Sequence, residues 1–156
     1  MTEIKHILAA IDLSAAGFRV VAYAQHMAHT WKARLTVLHV VHDLSYYSGV
    51  FITSTPLDTL QHNLEIEARE QLADICAEAC GNDTAYETMV VTGRPVAEIQ
   101  RIIRECHVDC LVIGSHSTDK PEHQLFGSTA ERLLHQMLCP TFVIPPARVV
   151  DFVSKG

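Results

Sequence analysis

The sequence predicts an α/β fold, an open five-stranded parallel sheet with helices on both faces. Three observations carry this. Short, nearly continuous apolar runs rich in Val, Ile and Leu recur along the 156 residues, as strands buried on both faces require. Between them lie segments whose apolar residues step by three or four, the helical period. Strand and helix patterns alternate as βαβαβαβαβ, an order that implies parallel strands joined by helical crossovers.

Ile4 to Asp12 has the apolar density of a first strand. Ser14 to Trp31 follows as a helix, with Phe18, Val21, Ala22, Ala24, Gln25 and Ala28 at mostly helical spacing. Arg34 to Val41 is β-branched and apolar, a second strand, and the stretch from His42 to Pro56 is a polar, aromatic, glycine-containing loop. Loops of that length are usually functional or mobile. Leu57, Leu60, Leu64, Ala68, Leu72, Ile75 and Ala79 then form one stripe of a long helix that reaches Cys80 and ends at Gly81-Asn82. Glu65, Glu67, Arg69 and Glu70 lie largely off that stripe and read as a solvated face, with Glu65 and Arg69 spaced for an i,i+4 ion pair.

Thr84 to Thr92 reads as the third strand. Gly93-Arg94-Pro95 is a turn with proline at the first helical position, and Val96 to Glu105 is the next helix. Val108 to Gly114 supplies the fourth strand, Ser128 to Leu138 the last helix, and Pro140 to Pro145 a fifth strand bounded by prolines.

Composition fits one domain over residues 1–146 followed by a tail, 147–156. With 48% hydrophobic and 19% charged residues the chain is ordinary for a globular protein, and no apolar run approaches the ~18 residues of a membrane span. The N-terminus enters a strand without a leader pattern, which predicts the cytoplasm. A net charge of −6 argues against nonspecific binding to nucleic acid or an anionic membrane. Five cysteines, an odd number scattered through apolar segments, predict reduced thiols. Cys76 with Cys80, and Cys106 with Cys110, have the i,i+4 spacing that could offer two thiolates to a metal; buried small residues without a Cys-x2-Cys knuckle are the favoured reading.

In such a fold the ligand crevice lies at the C-terminal ends of the strands, where strand order reverses. Ala10-Ile11-Asp12, Val40-Val41 and Gly114-Ser115-His116-Ser117 are the strand ends that converge there, and Gly127-Ser128-Thr129 opens the last helix. A helix start has unpaired N–H groups and a partial positive charge, which favour a phosphate. Each residue also has a second reading. Asp12 and Ser14 are good capping residues, Ser128 with Glu131 fits a capping box, and Gly127 could relieve crowding. Their convergence with Gly114 favours a ligand. His116 and His123 belong to no HExxH-type set, His39 reads as a hydrogen-bonded core histidine, and no Gly-x-Ser-x-Gly nucleophile motif is present.

These residues resemble the universal stress protein family, in its single-domain bacterial form, over nearly the whole chain. The family's nucleotide motif is glycine, two residues, glycine, nine residues, glycine and a serine or threonine. Gly114, Gly127 and Ser128 keep its spacing, and Ser117 stands at the second glycine. Ile7 to Ser14, Val37 to Val41, Gly93-Arg94-Pro95 and Cys139 to Pro145 resemble the family's opening strand and acidic turn, second strand, third-helix turn and closing strand. The resemblance implies a Rossmann-like sheet of the adenine nucleotide alpha hydrolase type, with strand order 3-2-1-4-5. It implies ATP, with Mg²⁺ or Mn²⁺, as the ligand. Asp12 would meet the ribose or adenine and the Val40 backbone the adenine. Gly114, His116 and Ser117 would line the phosphate loop, and Gly127, Ser128 and Thr129 would hold phosphate oxygens. It further implies a homodimer through Thr141 to Ile144.

The function expected is a cytoplasmic stress-response factor, a nucleotide-dependent switch or scaffold acting on a protein partner, and at most a slow ATPase. No catalytic residue, resident metal, nucleic acid or membrane is expected. The alternative is a nucleotide-independent dimeric interaction protein, in which Ser117 marks a degenerate phosphate loop and Tyr46, Tyr47 and Phe51 serve as a partner surface. A third reading is a metal-assisted hydrolase using Asp12 and His116.

Overall fold

The computed structural model describes residues 3–47, 55–82, 85–115 and 127–147. The elements are β1 (His6–Ala10), α1 (Ala15–Trp31), β2 (Arg34–His42), a 3-10 turn (Leu44–Tyr47), α2 (Leu57–Cys80), β3 (Tyr86–Gly93), α3 (Pro95–Glu105), β4 (Cys110–Gly114), α4 (Ser128–His135) and β5 (Thr141–Ile144). The five strands form one parallel sheet in the order β3-β2-β1-β4-β5. The chain therefore starts at the sheet's centre, builds outward to β3, and returns to the other side of β1. Strand order reverses between β1 and β4, where Ile7 lies beside Cys110 and Ala10 beside Ile113.

Alternate residues of each strand enter opposite cores, because strand side chains alternate with a period of two. Ile7, Ala9, Leu35 and Val37 pack with Val21 of α1 and Leu72 of α2, while Leu8, Leu38 and Val40 pack with Ile99 of α3 and Leu133 of α4. Both faces are thus covered by helices, which is why the strands read as continuous apolar runs. At the opposite end of the sheet from the crevice, Asp109 Oδ2 accepts the N–H groups of Lys5 and His6, each at 2.9 Å, and fixes the entry of β1. The buried His6 ring lies between the Cys106 carbonyl and the Thr36 hydroxyl; burial holds its pKa below the ordinary imidazole range.

Several local expectations change. The fourth strand begins at Cys110, not Val108: the Val108 N–H closes the end of α3 on the Ile103 carbonyl (3.0 Å), and its neighbour His107 is left-handed at φ 51°. The last helix stops at His135, leaving Met137 and Leu138 exposed, since Cys139 precedes a proline and disfavours helix. Glu65 does not pair with Arg69; it accepts the Thr92 hydroxyl at 2.8 Å and ties α2 to β3. On α2 the fully inward positions are Ala68, Leu72, Cys76 and Cys80, so the buried stripe is rotated toward the cysteines, and Leu64 is 39% exposed.

Burial pushes the Cys76 thiol up to about 12 and raises Cys80 as well, so both stay protonated and act as small apolar residues. Cys106 ends α3 and Cys110 lies on β4, so that pair shares no helix face. Among the described residues no group of three or more His, Cys, Asp or Glu could hold a metal ion, and no helix is long and apolar enough to cross a membrane.

Candidate functional site

A cavity of about 620 Å³ lies at the C-terminal ends of β1, β2 and β4. That volume is typical of small-molecule sites, and the position is the crevice expected of a doubly wound sheet. Six of the residues singled out from the sequence line it: Asp12, Val40, Gly114, Gly127, Ser128 and Thr129. His116, Ser117, His123 and Phe51 lie outside the described residues.

The backbone settles what each end of α4 can offer. Gly127 is the N-cap, in an extended conformation and without a side-chain cap, so Ser128 is the first helical residue and the capping box with Glu131 does not form. The Gly127 N–H donates to the Ser115 carbonyl at 2.7 Å, and the Ser115 N–H to the Ile144 carbonyl at 3.0 Å. These bonds clamp the start of α4 to the ends of β4 and β5. They also commit the Gly127 N–H, so it cannot serve a ligand. The first intrahelical bond runs from the Glu131 N–H to the Gly127 carbonyl at 2.9 Å, leaving the N–H groups of Ser128, Thr129 and Ala130 without a partner among the described residues, with two hydroxyls beside them. Together with the helix dipole they form an anion-accepting corner.

Asp12 follows directly on the β1 ladder, which the Ile11 N–H extends by donating to the Leu38 carbonyl at 2.9 Å. Its Oδ1 accepts the N–H of Ser14 at 3.2 Å and the Ser14 hydroxyl, an Asx turn rather than a helix cap; Ser14 itself is the N-cap of α1. The residue is exposed, and among the described residues Oδ2 has no hydrogen-bond partner. Beneath this turn sits Gly17, buried in the first turn of α1. A Cβ there would lie 2.6 Å from the Asp12 carbonyl oxygen. The glycine lets α1 approach the turn that carries Asp12. Gly17 is passed over in the sequence reading, though an isolated glycine in a helical pattern is a signal that could have found it.

The second wall comes from α2, which no motif flagged. Leu64, Glu67, Ala68 and Gln71 border the cavity, and the Gln71 amide donates to Glu67 at 3.0 Å. Across from them His39 lines the cavity with its Nδ1 2.9 Å from the Ile11 carbonyl, so the hydrogen-bonded histidine expected from the sequence is also a cavity residue. At the rim, the Arg94 guanidinium lies 4.6 Å above the Tyr46 ring and joins the 3-10 turn to the turn before α3. Tyr46 and Tyr47 are both exposed. Among the described residues that line the cavity, Asp12 and Glu67 carry the formal charges.

The family model for universal stress proteins matches residues 3–145. The chain is 31% identical over 142 residues to the universal stress protein A homolog 1 of Coxiella burnetii, covering 90% of this chain and 95% of that protein. Among solved structures it is similar to a universal stress protein in complex with cAMP (19% identity, TM-score 0.67, 92% of this chain and 98% of that one). It is also similar to the Archaeoglobus fulgidus universal stress protein in complex with dAMP (20% identity, TM-score 0.64, 92% and 99%). Both share the fold. A family match over nearly the full length, joined to a relative of that identity and coverage, means that this chain belongs to the universal stress protein family.

Proposed function

We propose that the protein binds an adenine nucleotide in this cavity and uses it as a switch for a surface offered to a protein partner. The observation that carries the reading is the alignment of complementary groups along one sheet edge: open N–H donors on α4, an exposed carboxylate on Asp12, and the apolar end of β2 at Val40. They suit a phosphate, a ribose hydroxyl and a base in that order. The cAMP and dAMP complexes of structurally similar proteins support the ligand class. ATP belongs to it. With Asp12 and Glu67 already negative, a triphosphate calls for a divalent cation such as Mg²⁺ or Mn²⁺, held mainly by phosphate oxygens and water.

Phosphate contacts at this corner act on the surface around Ser115 and Gly127, whose backbones are bonded to each other there; the 116–126 segment expected as the switch lies outside the described residues. This is a binding role with at most slow turnover. Five free cysteines, three of them buried, suit a reducing cytoplasm. The outer edge of β5, with Phe142 44% exposed against Trp31, suits pairing with a second copy. Sedimentation at micromolar concentration is expected to give a dimer; a monomer removes that part of the proposal.

Calorimetric titration of nucleotide-stripped protein with ATP and Mg²⁺ tests the binding. Saturable binding is expected, weakened about tenfold in Asp12→Ala, the size of a lost hydrogen bond to a charged group. Absence of binding at millimolar nucleotide favours the dimeric interaction protein without a nucleotide.

A further inference from the structure

We infer that His39 reads the base: its Nε2 lone pair accepts a hydrogen bond from the 6-amino group of adenine and turns away a 6-oxopurine. This rests on the nucleotide reading above and adds to it a residue and a selectivity. The His39 Nδ1 lies 2.9 Å from the Ile11 carbonyl oxygen. A carbonyl oxygen only accepts, so Nδ1 carries the proton, and in the neutral ring Nε2 carries the lone pair. Nε2 has no hydrogen-bond partner among the described residues, yet no sealed side-chain nitrogen or oxygen among them lacks one. An unpartnered nitrogen that is not sealed faces open space, and the open space that His39 lines is the cavity.

Its place along the sheet edge decides which part of the ligand it meets. The strands run β2, β1, β4, at roughly 4.8 Å spacing, which sets β2 about 10 Å from β4. With phosphate on the open N–H groups of α4 and the ribose beside Asp12 on β1, the base falls at β2. The facing wall of α2 adds a further acceptor, the Glu67 carboxylate, and one amide N–H of Gln71 is already engaged with it. Adenine presents N6–H donors to such a wall, whereas a 6-oxopurine presents an acceptor oxygen. Lone pair against lone pair leaves both groups unsatisfied, and such a mismatch discriminates more strongly than an added contact does.

The test is titration of ATP and inosine triphosphate, with Mg²⁺ at about pH 8, into the wild-type protein and His39→Asn. In that variant the Asn Nδ2 takes the place of Nδ1 and keeps the bond to Ile11, while the Asn oxygen stops short of the place of Nε2 and leaves no acceptor there. Wild-type protein is expected to prefer ATP by about tenfold or more, and the variant to bring the ratio near one, chiefly by losing ATP affinity. Equal affinities in the wild type, or an unchanged ratio in the variant, overturn the assignment while leaving nucleotide binding intact. Binding of neither nucleotide overturns the underlying reading itself. Should the variant not fold, the ¹⁵N resonance of His39 Nε2 in the wild type decides, since it is expected to shift with ATP and not with inosine triphosphate; no shift overturns the assignment.

Discussion

Gly17→Val is expected to lower stability by roughly 2–3 kcal/mol, the range of overpacking a buried site, and to weaken nucleotide binding about tenfold or more. A β-carbon at this position lies 2.6 Å from the Asp12 carbonyl oxygen and 3.2 Å from Ile11 Cδ1. The first of these is backbone and cannot rotate away. Helix propensity pulls in the opposite direction, since replacing glycine in a helix gains up to about 1 kcal/mol, so Gly17→Ala should lose only about 1 kcal/mol net and the two extra methyl groups of valine should add the rest. The binding loss follows because relief of the clash displaces the turn that holds the Asp12 carboxylate. Urea unfolding gives the stability and titration at a temperature where the variant is folded gives the affinity. A valine variant as stable and as tight-binding as wild type shows that α1 does not need to approach this closely.

That glycine is not singled out from the sequence, although other features of the fold and the site are. The central strands β1, β2 and β4 are readable because they are apolar on both faces, and the reversal of strand order follows from parallel right-handed crossovers. Glycines, hydroxyl residues and a carboxylate at strand and helix ends are likewise visible, and Asp12, Gly114 and Gly127 to Thr129 stand out in this way. Hydrogen-bond accounting is not visible. Whether Gly127 offers its N–H to a phosphate depends on the Ser115 carbonyl twelve positions away, which takes it at 2.7 Å. The start of β4 and the end of α4 shift for the same kind of reason, a local backbone donor or a following proline that decides where the regular pattern begins or ends. The α2 wall is hidden for another: Glu67 and Gln71 have the pattern of a solvated helix face, and only the packing of α2 across the sheet edge makes that face the side of a cavity. His39 is legible as a hydrogen-bonded strand histidine, but its second nitrogen acquires a role only through that wall.

The attachment of α2 makes the largest single effect expected in the molecule. This helix of 24 residues buries only Ala68, Leu72, Cys76 and Cys80, and Leu72 is the one large side chain among them, with no exposed surface. Leu72→Ala should therefore destabilise by roughly 3–5 kcal/mol, from lost transfer energy and the cavity left behind, a large part of the ~5–15 kcal/mol that holds a domain of this kind together. Ile66→Ala, on the same helix but 42% exposed, should lose less than about 1 kcal/mol. The contrast separates burial from helix propensity, which disfavours neither alanine. Because Leu64, Glu67 and Gln71 border the ligand cavity from the same helix, the loosened α2 should weaken nucleotide binding too. Saturating nucleotide should then restore part of the lost stability, about 2.7 kcal/mol at a hundredfold excess over the dissociation constant. Equal destabilisation by the two substitutions would place the anchor of α2 elsewhere than Leu72. If Leu72→Ala lowers stability as expected but leaves nucleotide affinity untouched, the α2 wall takes no part in holding the ligand, and the site reduces to the β1, β4 and α4 corner.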